Sequence, residues 1–154
     1  MSYGARDYWI YAGPSIGVAR NRPSSSAEKE TLFTFGLNAC DYLVSSHGRW
    51  LAASIDAVWE PAAPLARCSI GPDVGIFPVG IAGEFVFEAR HGSPCKGYQW
   101  RCELNLFELM PYVAVGTLWG GGIVEHYAEF ALILRKCVKS NASGYVSPWV
   151  IRGH

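Results

Sequence analysis

The chain has 154 residues, half of them hydrophobic and only 17% charged, and its 13 basic and 13 acidic residues give a formal net charge of zero. This composition excludes a disordered chain, which needs low hydrophobicity or a high net charge. It also argues against a nucleic-acid partner, because there is no excess of cations to neutralise phosphates. The length suits one domain, and no apolar run reaches the 18 residues of a transmembrane helix.

Hydrophobic residues alternate with small or polar residues along most of the chain, which is the period of a β-strand and not of a helix. Phe33, Phe35 and Leu37, for example, alternate with Gly36 and Asn38. Such runs are roughly twice the length of an average strand, about 5–6 residues, and strands this long are typical of barrels. We predict eight strands, at about residues 7–20, 30–44, 49–60, 67–77, 79–90, 97–107, 109–119 and 123–136.

These strands predict an all-β fold, a closed antiparallel up-and-down β-barrel of about eight strands. Residues 1–138 would form this single domain, and residues 139–154 a C-terminal tail that is either a short strand or disordered. The connections at residues 21–29, 60–66 and 90–97 are long, whereas those between them are tight. Long loops are therefore expected mostly at one end of the barrel and tight turns at the other.

The alternation gives the sheet two faces of different chemistry. The apolar face would either contact lipid or line an internal cavity, and we assign to it Phe33, Phe35, Leu37, Ile55, Phe85, Phe87, Leu104 and Leu106. The other face consists mainly of small residues with a few charges. Because a buried charge must be paired, we expect these charges to form an interior polar network of Asp56, Asp73, Glu84, Arg101, Glu103 and Glu129, with one arginine among several carboxylates.

Two features favour a barrel whose polar face points inward and whose apolar face points outward. Small residues are the kind that fit inside a narrow eight-stranded barrel. Aromatic residues cluster at the strand ends, as in the girdles of membrane barrels: Tyr8, Trp9, Tyr42, Trp50, Trp59, Phe77, Tyr98, Trp100 and Trp119. A closed barrel also leaves no strand edge exposed to lipid.

Over residues 7–136 this pattern resembles the small eight-stranded outer-membrane β-barrels of Gram-negative bacteria. The glycine-rich stretches 70–76 and 80–85 are similar to the mid-barrel hairpins of that class. The resemblance implies next-neighbour strand pairing, short periplasmic turns, longer outer loops, and lipid or detergent as the partner. It further implies a mature outer-membrane protein, since no signal peptide is visible, with a structural or surface-interaction role and no enzymatic activity.

Two alternatives stay open at the level of the sequence. The first is a soluble, cytoplasmic β-barrel, lipocalin-like or cyclase-like, that binds an apolar small molecule inside. The second is a membrane enzyme that acts on lipid, because His91 and Ser93 resemble the arrangement in outer-membrane lipid A deacylases. Separately, Glu84, Glu103 and Glu129 with Arg101 could be paired acid/base carboxylates. The five cysteines include no CxxC pair, so we assign no metal site. We also assign no catalytic residue and no cofactor, and leave the oligomeric state open.

Overall fold

The computed structural model describes residues 7–23, 30–44, 48–61, 65–90, 93–106 and 108–140. These residues form nine strands: β1 Asp7–Pro23, β2 Glu30–Val44, β3 Arg49–Glu60, β4 Leu65–Ile76, β5 Val79–Arg90, β6 Ser93–Leu104, β7 Leu109–Gly120, β8 Ile123–Leu134 and β9 Lys136–Ser140. Within this part of the chain, no helix has the length and apolarity needed to cross a membrane.

Each strand from β1 to β8 pairs antiparallel with the next along the chain, and β1 also pairs with β8. This last pairing, which sets Val18 opposite Phe130, closes the sheet. Strand β9 continues β8 beyond Arg135 and pairs with the first part of β1, with Cys137 opposite Tyr11. The predicted closed, eight-stranded, up-and-down barrel is thereby confirmed.

The strand ends agree with the prediction at β2, β3 and β5, and differ most at β6. The predicted strand 97–107 in fact spans Ser93–Leu104, and Ser93 pairs with Arg90. The long connection expected over residues 90–97 is therefore wrong. The glycine and proline in this stretch suggested a turn, but Pro94 is the second residue of β6, a position at the strand start where a missing N–H is tolerated.

The connections at the two ends of the barrel differ less in length than the sequence suggested. At the end expected to carry long loops, β7 and β8 are joined only by Gly121 and Gly122, whose φ angles are 59° and 80°. Positive φ at both positions is the requirement of a type I′ hairpin turn, which glycine meets without strain. At this end, residues 24–29 form the longest stretch between two strands.

The outward and inward faces have the reverse of a soluble protein's polarity. Along β3, Ser54 and Asp56 are buried inside the barrel, while Leu51 and Ile55 are 53% and 47% exposed. All eight residues of the predicted apolar face lie outside, between 44% and 68% exposed: Phe33, Phe35, Leu37, Ile55, Phe85, Phe87, Leu104 and Leu106. The soluble alternative requires these residues to surround a central cavity, and they do not.

Glycines on the inward face make room for Trp50, whose ring lies inside the barrel. A Cβ atom at Gly80 would lie 2.2 Å from Cη2 of Trp50, and Trp50 is only 6% exposed. We expect Gly80→Ala to lower the free energy of unfolding by about 1–3 kcal/mol, because overpacking strains a filled interior.

A matched control for this prediction is Gly83→Ala, measured by the same denaturant titration. A Cβ atom at Gly83 would meet the ring of Trp100 at 3.1 Å, but Trp100 is 59% exposed and has space to move. Adding Trp50→Ala should relieve the Gly80→Ala clash, so that the double variant loses less stability than the sum of the single losses. Equal losses for Gly80→Ala and Gly83→Ala would contradict this account.

Candidate functional site

Arg101 on β6 is the centre of the largest group of charges inside the barrel. Its Nη1 atom lies 2.6 Å from Oδ2 of Asp56 and 3.0 Å from Oε1 of Glu84. Its Nε atom is 3.1 Å from Oε2 of Glu103, and its Nη2 atom is 3.9 Å from Oδ2 of Asp73. One guanidinium therefore faces four carboxylates from β3, β4, β5 and β6, all of them buried.

Neutral side chains supply further hydrogen bonds to the two carboxylates nearest the guanidinium. Asn38 donates to Oδ1 of Asp56 at 2.8 Å. Ser54 donates to Oε1 of Glu84 at 2.7 Å, and Gln99 donates to the other Glu84 oxygen. Such donors stabilise a buried carboxylate because they replace the hydrogen bonds that it made with water.

Asp73 is held much less well than Asp56. It is fully buried, neither of its oxygens accepts a hydrogen bond, and its distance to Arg101 is 3.9 Å. We expect Asp73→Asn to leave the free energy of unfolding unchanged or to raise it by about 1 kcal/mol, because a poorly paired buried carboxyl group is replaced by an amide of the same size.

Asp56→Asn is the matched comparison for Asp73→Asn, since both change one buried aspartate to its amide. Asp56 accepts from Asn38 and Arg101, so its loss should lower the free energy of unfolding by about 1.5–3 kcal/mol. Thermal or denaturant unfolding of both variants measures the difference. The opposite order of stability would show that the ion-pair distances do not determine how much each buried aspartate contributes to the free energy of unfolding.

A second pair of charges crosses the barrel next to the Arg101 group. Arg67 on β4 forms an ion pair with Glu129 on β8, which also accepts from Thr34 at 3.1 Å and from Tyr112 at 3.3 Å. The Arg67 guanidinium lies 4.6 Å from the ring centre of Tyr127, a cation–π contact. Through side chains inside the barrel, the two groups of charges together connect all the strands from β2 to β8.

A third arginine, Arg135, lies between β8 and β9. It is at the end of the barrel that carries the β2–β3, β4–β5 and β6–β7 turns, which we call the mouth. Its guanidinium is 4.6 Å from the ring centre of Tyr11 and 5.1 Å from that of Tyr42. Its Nη2 atom donates to Asn105 at 2.5 Å. Tyr42 and Trp50 are 2% and 6% exposed, so these two residues lie inside the mouth. The prediction that they belong to an outer aromatic girdle is therefore wrong.

The structure places the six charges of the predicted network inside the barrel: Asp56, Asp73, Glu84, Arg101 and Glu103 lie together, and Glu129 pairs with Arg67. Sequence reasoning expected one interior arginine and missed two. Arg67 has the same inward phase as Asp73, and Arg135 the same phase as Glu129, so the alternation itself carried the signal. Buried Glu60, Glu88 and Glu125 were also missed.

The interior charges are closed off from solvent, which bears on their chemistry. Glu84, Glu103 and Glu129 are at most 3% exposed, and a general acid or base must reach the proton that it transfers. His91 lies outside the described residues, and Ser93 begins β6. Within the described part of the chain, no cluster of metal-ligating side chains is present and all five cysteines are free thiols.

The fold and its interior define a closed antiparallel barrel of eight strands with charges inside and apolar residues outside. Among solved structures, the chain is similar to Ail, the attachment invasion locus protein of Yersinia pestis, at 11% identity and a TM-score of 0.48, covering 85% of this chain and 99% of Ail. It is also similar to Neisserial surface protein A, at 11% identity and a TM-score of 0.49, covering 82% and 95%.

A designed transmembrane β-barrel gives a TM-score of 0.40 at 10% identity, covering 80% of this chain and 95% of the design. Ail and Neisserial surface protein A are small outer-membrane β-barrels of Gram-negative bacteria, the class that the strand pattern resembles. No protein-family description and no curated protein sequence matches the chain. The architecture described above rests on the strand pairing of the chain itself.

Proposed function

We propose that the chain is a non-enzymatic outer-membrane β-barrel that contacts lipid with its outer face and performs a structural or surface-interaction role. The observation that carries this proposal is the reversed polarity of the barrel wall. An exposed apolar surface of this extent is unfavourable in water and favourable against lipid hydrocarbon. Closure of the sheet by β1 and β8 supports the same placement, because unpaired backbone groups are costly in lipid.

The height of the apolar surface also fits a bilayer. On β3, the residues that point outward between Arg49 and Pro61 are all uncharged: Leu51, Ala53, Ile55, Ala57 and Trp59. About ten residues rise roughly 33 Å along a strand, or about 25 Å once the strand is tilted by 35–45°, which is the usual height of the apolar band of a membrane barrel. The exposed charges Arg20, Asp41, Lys96 and Lys136 lie toward strand ends.

The interior favours a filled barrel over an open pore. Eight strands leave space for little more than side chains. Here Arg67 on β4 reaches Glu129 on β8, and Arg101 on β6 reaches Asp56 on β3. Their pairing with carboxylates from other strands supports a role in holding the wall together. We therefore propose a plugged barrel that does not pass solutes.

Any surface-interaction role would rest on the end of the barrel that includes residues 24–29. The other connections at this end are short, and β1 and β2 are the two longest strands, with 17 and 15 residues. The β1–β2 connection is therefore the best candidate for contact with an external partner. Its polar sequence between the strands, rich in serine, suits an exposed surface.

Gel mobility with and without boiling tests the membrane placement, on protein purified with and without detergent. We expect a folded species that needs detergent and changes mobility only after heating, as a stable membrane barrel does. A monodisperse, folded protein in the absence of detergent would overturn the proposal. That result would reopen the soluble alternative, although the eight residues of the predicted apolar face point away from the interior.

A further inference from the structure

Asp73 on β4 lies in a part of the interior that offers its carboxyl group no donor. It is fully buried, and no described residue donates a hydrogen bond to either of its oxygens. Its cross-strand neighbours, Ala52 on β3 and Ala82 on β5, have no polar side chain. An ionised carboxylate is costly to bury without a donor, so this carboxyl group needs a partner of another kind.

The carboxyl group of Glu103 on β6 lies against that of Asp73. The two groups are close enough for a hydrogen bond between them. A carboxylate can only accept, so such a bond requires a proton on one of the two. Two carboxyl groups that share a buried site keep one proton between them, because each opposes the ionisation of the other.

The contacts of the two residues indicate which one carries the proton. Oε2 of Glu103 lies 3.1 Å from Nε of Arg101, and the hydroxyl of Tyr42 donates to Oε1 of Glu103 at 3.5 Å. A cation and a donor both stabilise the ionised form. Asp73 has no such donor and is 3.9 Å from Arg101, so Glu103 suits the carboxylate and Asp73 the acid.

The charges around Arg101 point to the same proton. Its group has four carboxyl groups and one guanidinium, so full ionisation would leave three uncompensated negative charges in an interior that screens charge poorly. The other two buried arginines of the described residues have partners elsewhere, Arg67 with Glu129 and Arg135 with Tyr42. One bound proton removes one of these three charges.

We propose that Asp73 and Glu103 form a proton-binding site, in which the Asp73 carboxylic acid donates to the Glu103 carboxylate at neutral pH. A proton suits the site better than a metal ion does, since within the described residues no three metal-ligating side chains come together. This inference goes beyond the proposed function, and it does not depend on whether the outer wall contacts lipid.

Infrared spectroscopy of the full chain in detergent micelles at neutral pH tests the proposal, because the C=O stretch of a carboxylic acid is separate from carboxylate and amide bands. We expect such a band in the wild type. It should move to lower frequency when aspartate is labelled with ¹³C at its side-chain carboxyl carbon. No acid band, or acid bands that move only with labelled glutamate, would overturn the proposal.

Two matched variants identify the aspartate. Asp73→Asn should remove the band that moves with labelled aspartate. Asp41→Asn changes an exposed aspartate of β2 in the same way and should leave the band in place. A band from labelled aspartate that persists in Asp73→Asn would assign the proton to another residue and overturn the proposal.

The proton also makes the stability of the barrel depend on pH. The charged and titratable groups that interact with Asp73 are Cys40 on β2, Glu84 on β5, and Arg101 and Glu103 on β6. Unfolded carboxyl groups lose their protons at about pH 4, so above this pH the folded chain holds one proton more than the unfolded chain. Stability therefore falls as the pH rises, until the folded site also loses its proton.

Urea titrations of the full chain over the neutral pH range measure this dependence. The unfolding equilibrium constant of the wild type should rise about tenfold more per pH unit than that of Asp73→Asn, and Asp41→Asn should follow the wild type. Equal slopes for the wild type and Asp73→Asn would overturn the proposal. So would a thermal midpoint that rises with added Mg²⁺ or Ca²⁺ in a protein without the acid band, since a metal ion would then occupy the site.

Discussion

Arg101→Met should lower the free energy of unfolding by about 3–5 kcal/mol, the usual cost of removing one partner from a buried ion pair. The four carboxylates within 3.9 Å of this guanidinium would then repel one another in an environment that screens charge poorly. Methionine keeps much of the side-chain volume, so the loss would come from charge and hydrogen bonds more than from a cavity. Denaturant titration in detergent, followed by tryptophan fluorescence, measures the change.

The neighbouring residue offers a matched control for this prediction. Cys102 is exposed on the outside of the same strand, and Cys102→Ala should change the free energy of unfolding by no more than about 0.5 kcal/mol. Combining Arg101→Met with Glu84→Gln should recover part of the loss, because one uncompensated charge is removed. Equal stabilities for Arg101→Met and Cys102→Ala would show that the interior ion pairs do not hold the barrel together.

The alternation of apolar with small or polar side chains was sufficient to predict most of the fold and the direction in which each face of the sheet points. Long strands with period two, separated by regular breaks, are compatible with few architectures. The small size of Gly36, Gly80 and Ala82 identified the polar face as the inner face. A narrow barrel can hold the inward residues of eight strands only if many of them are small. All three lie on the inward face in the structure, and Gly80 lies next to Trp50 and Glu103.

The partners inside the barrel could not be predicted in the same way. Alternation gives the face on which a side chain lies, but it does not give the height at which distant strands meet after closure. Arg67 and Glu129 are separated by 62 positions in sequence and lie on strands that are not neighbours. Their contact depends on the stagger of the closed sheet, which is a property of the whole barrel.

Local turn signals were the least reliable part of the sequence. The run around Gly92 and Pro94 suggested a long loop, yet Cys95 pairs with Glu88 in a regular ladder. A proline near the start of a strand needs no ladder hydrogen bond, so the same residues fit a hairpin. Tyr42 and Trp50 were similarly assigned to a girdle by their position near strand ends, although their phase placed them inside.

Leu37→Arg should cost about 2–4 kcal/mol in a bilayer if the outer wall contacts lipid, the penalty for arginine near the midplane of a membrane barrel. Leu37 lies in the middle of β2 and is 56% exposed on the outer wall. Unfolding of the barrel in lipid vesicles, with urea and tryptophan fluorescence, gives the free energy for each variant. Leu37→Ala separates the cost of the charge from the cost of the lost side chain.

The dependence on depth makes this experiment specific for a membrane. Leu43 lies on the same face of the same strand, 41% exposed, but near the tight turn and beyond the exposed Asp41. Leu43→Arg should therefore cost only about 0–1 kcal/mol, because arginine near the interface reaches water and headgroups. On a wall that faces water, both variants would cost little, since the guanidinium stays solvated. A wall packed against another protein would make both costly, so only a large difference between Leu37→Arg and Leu43→Arg fits a lipid-facing belt.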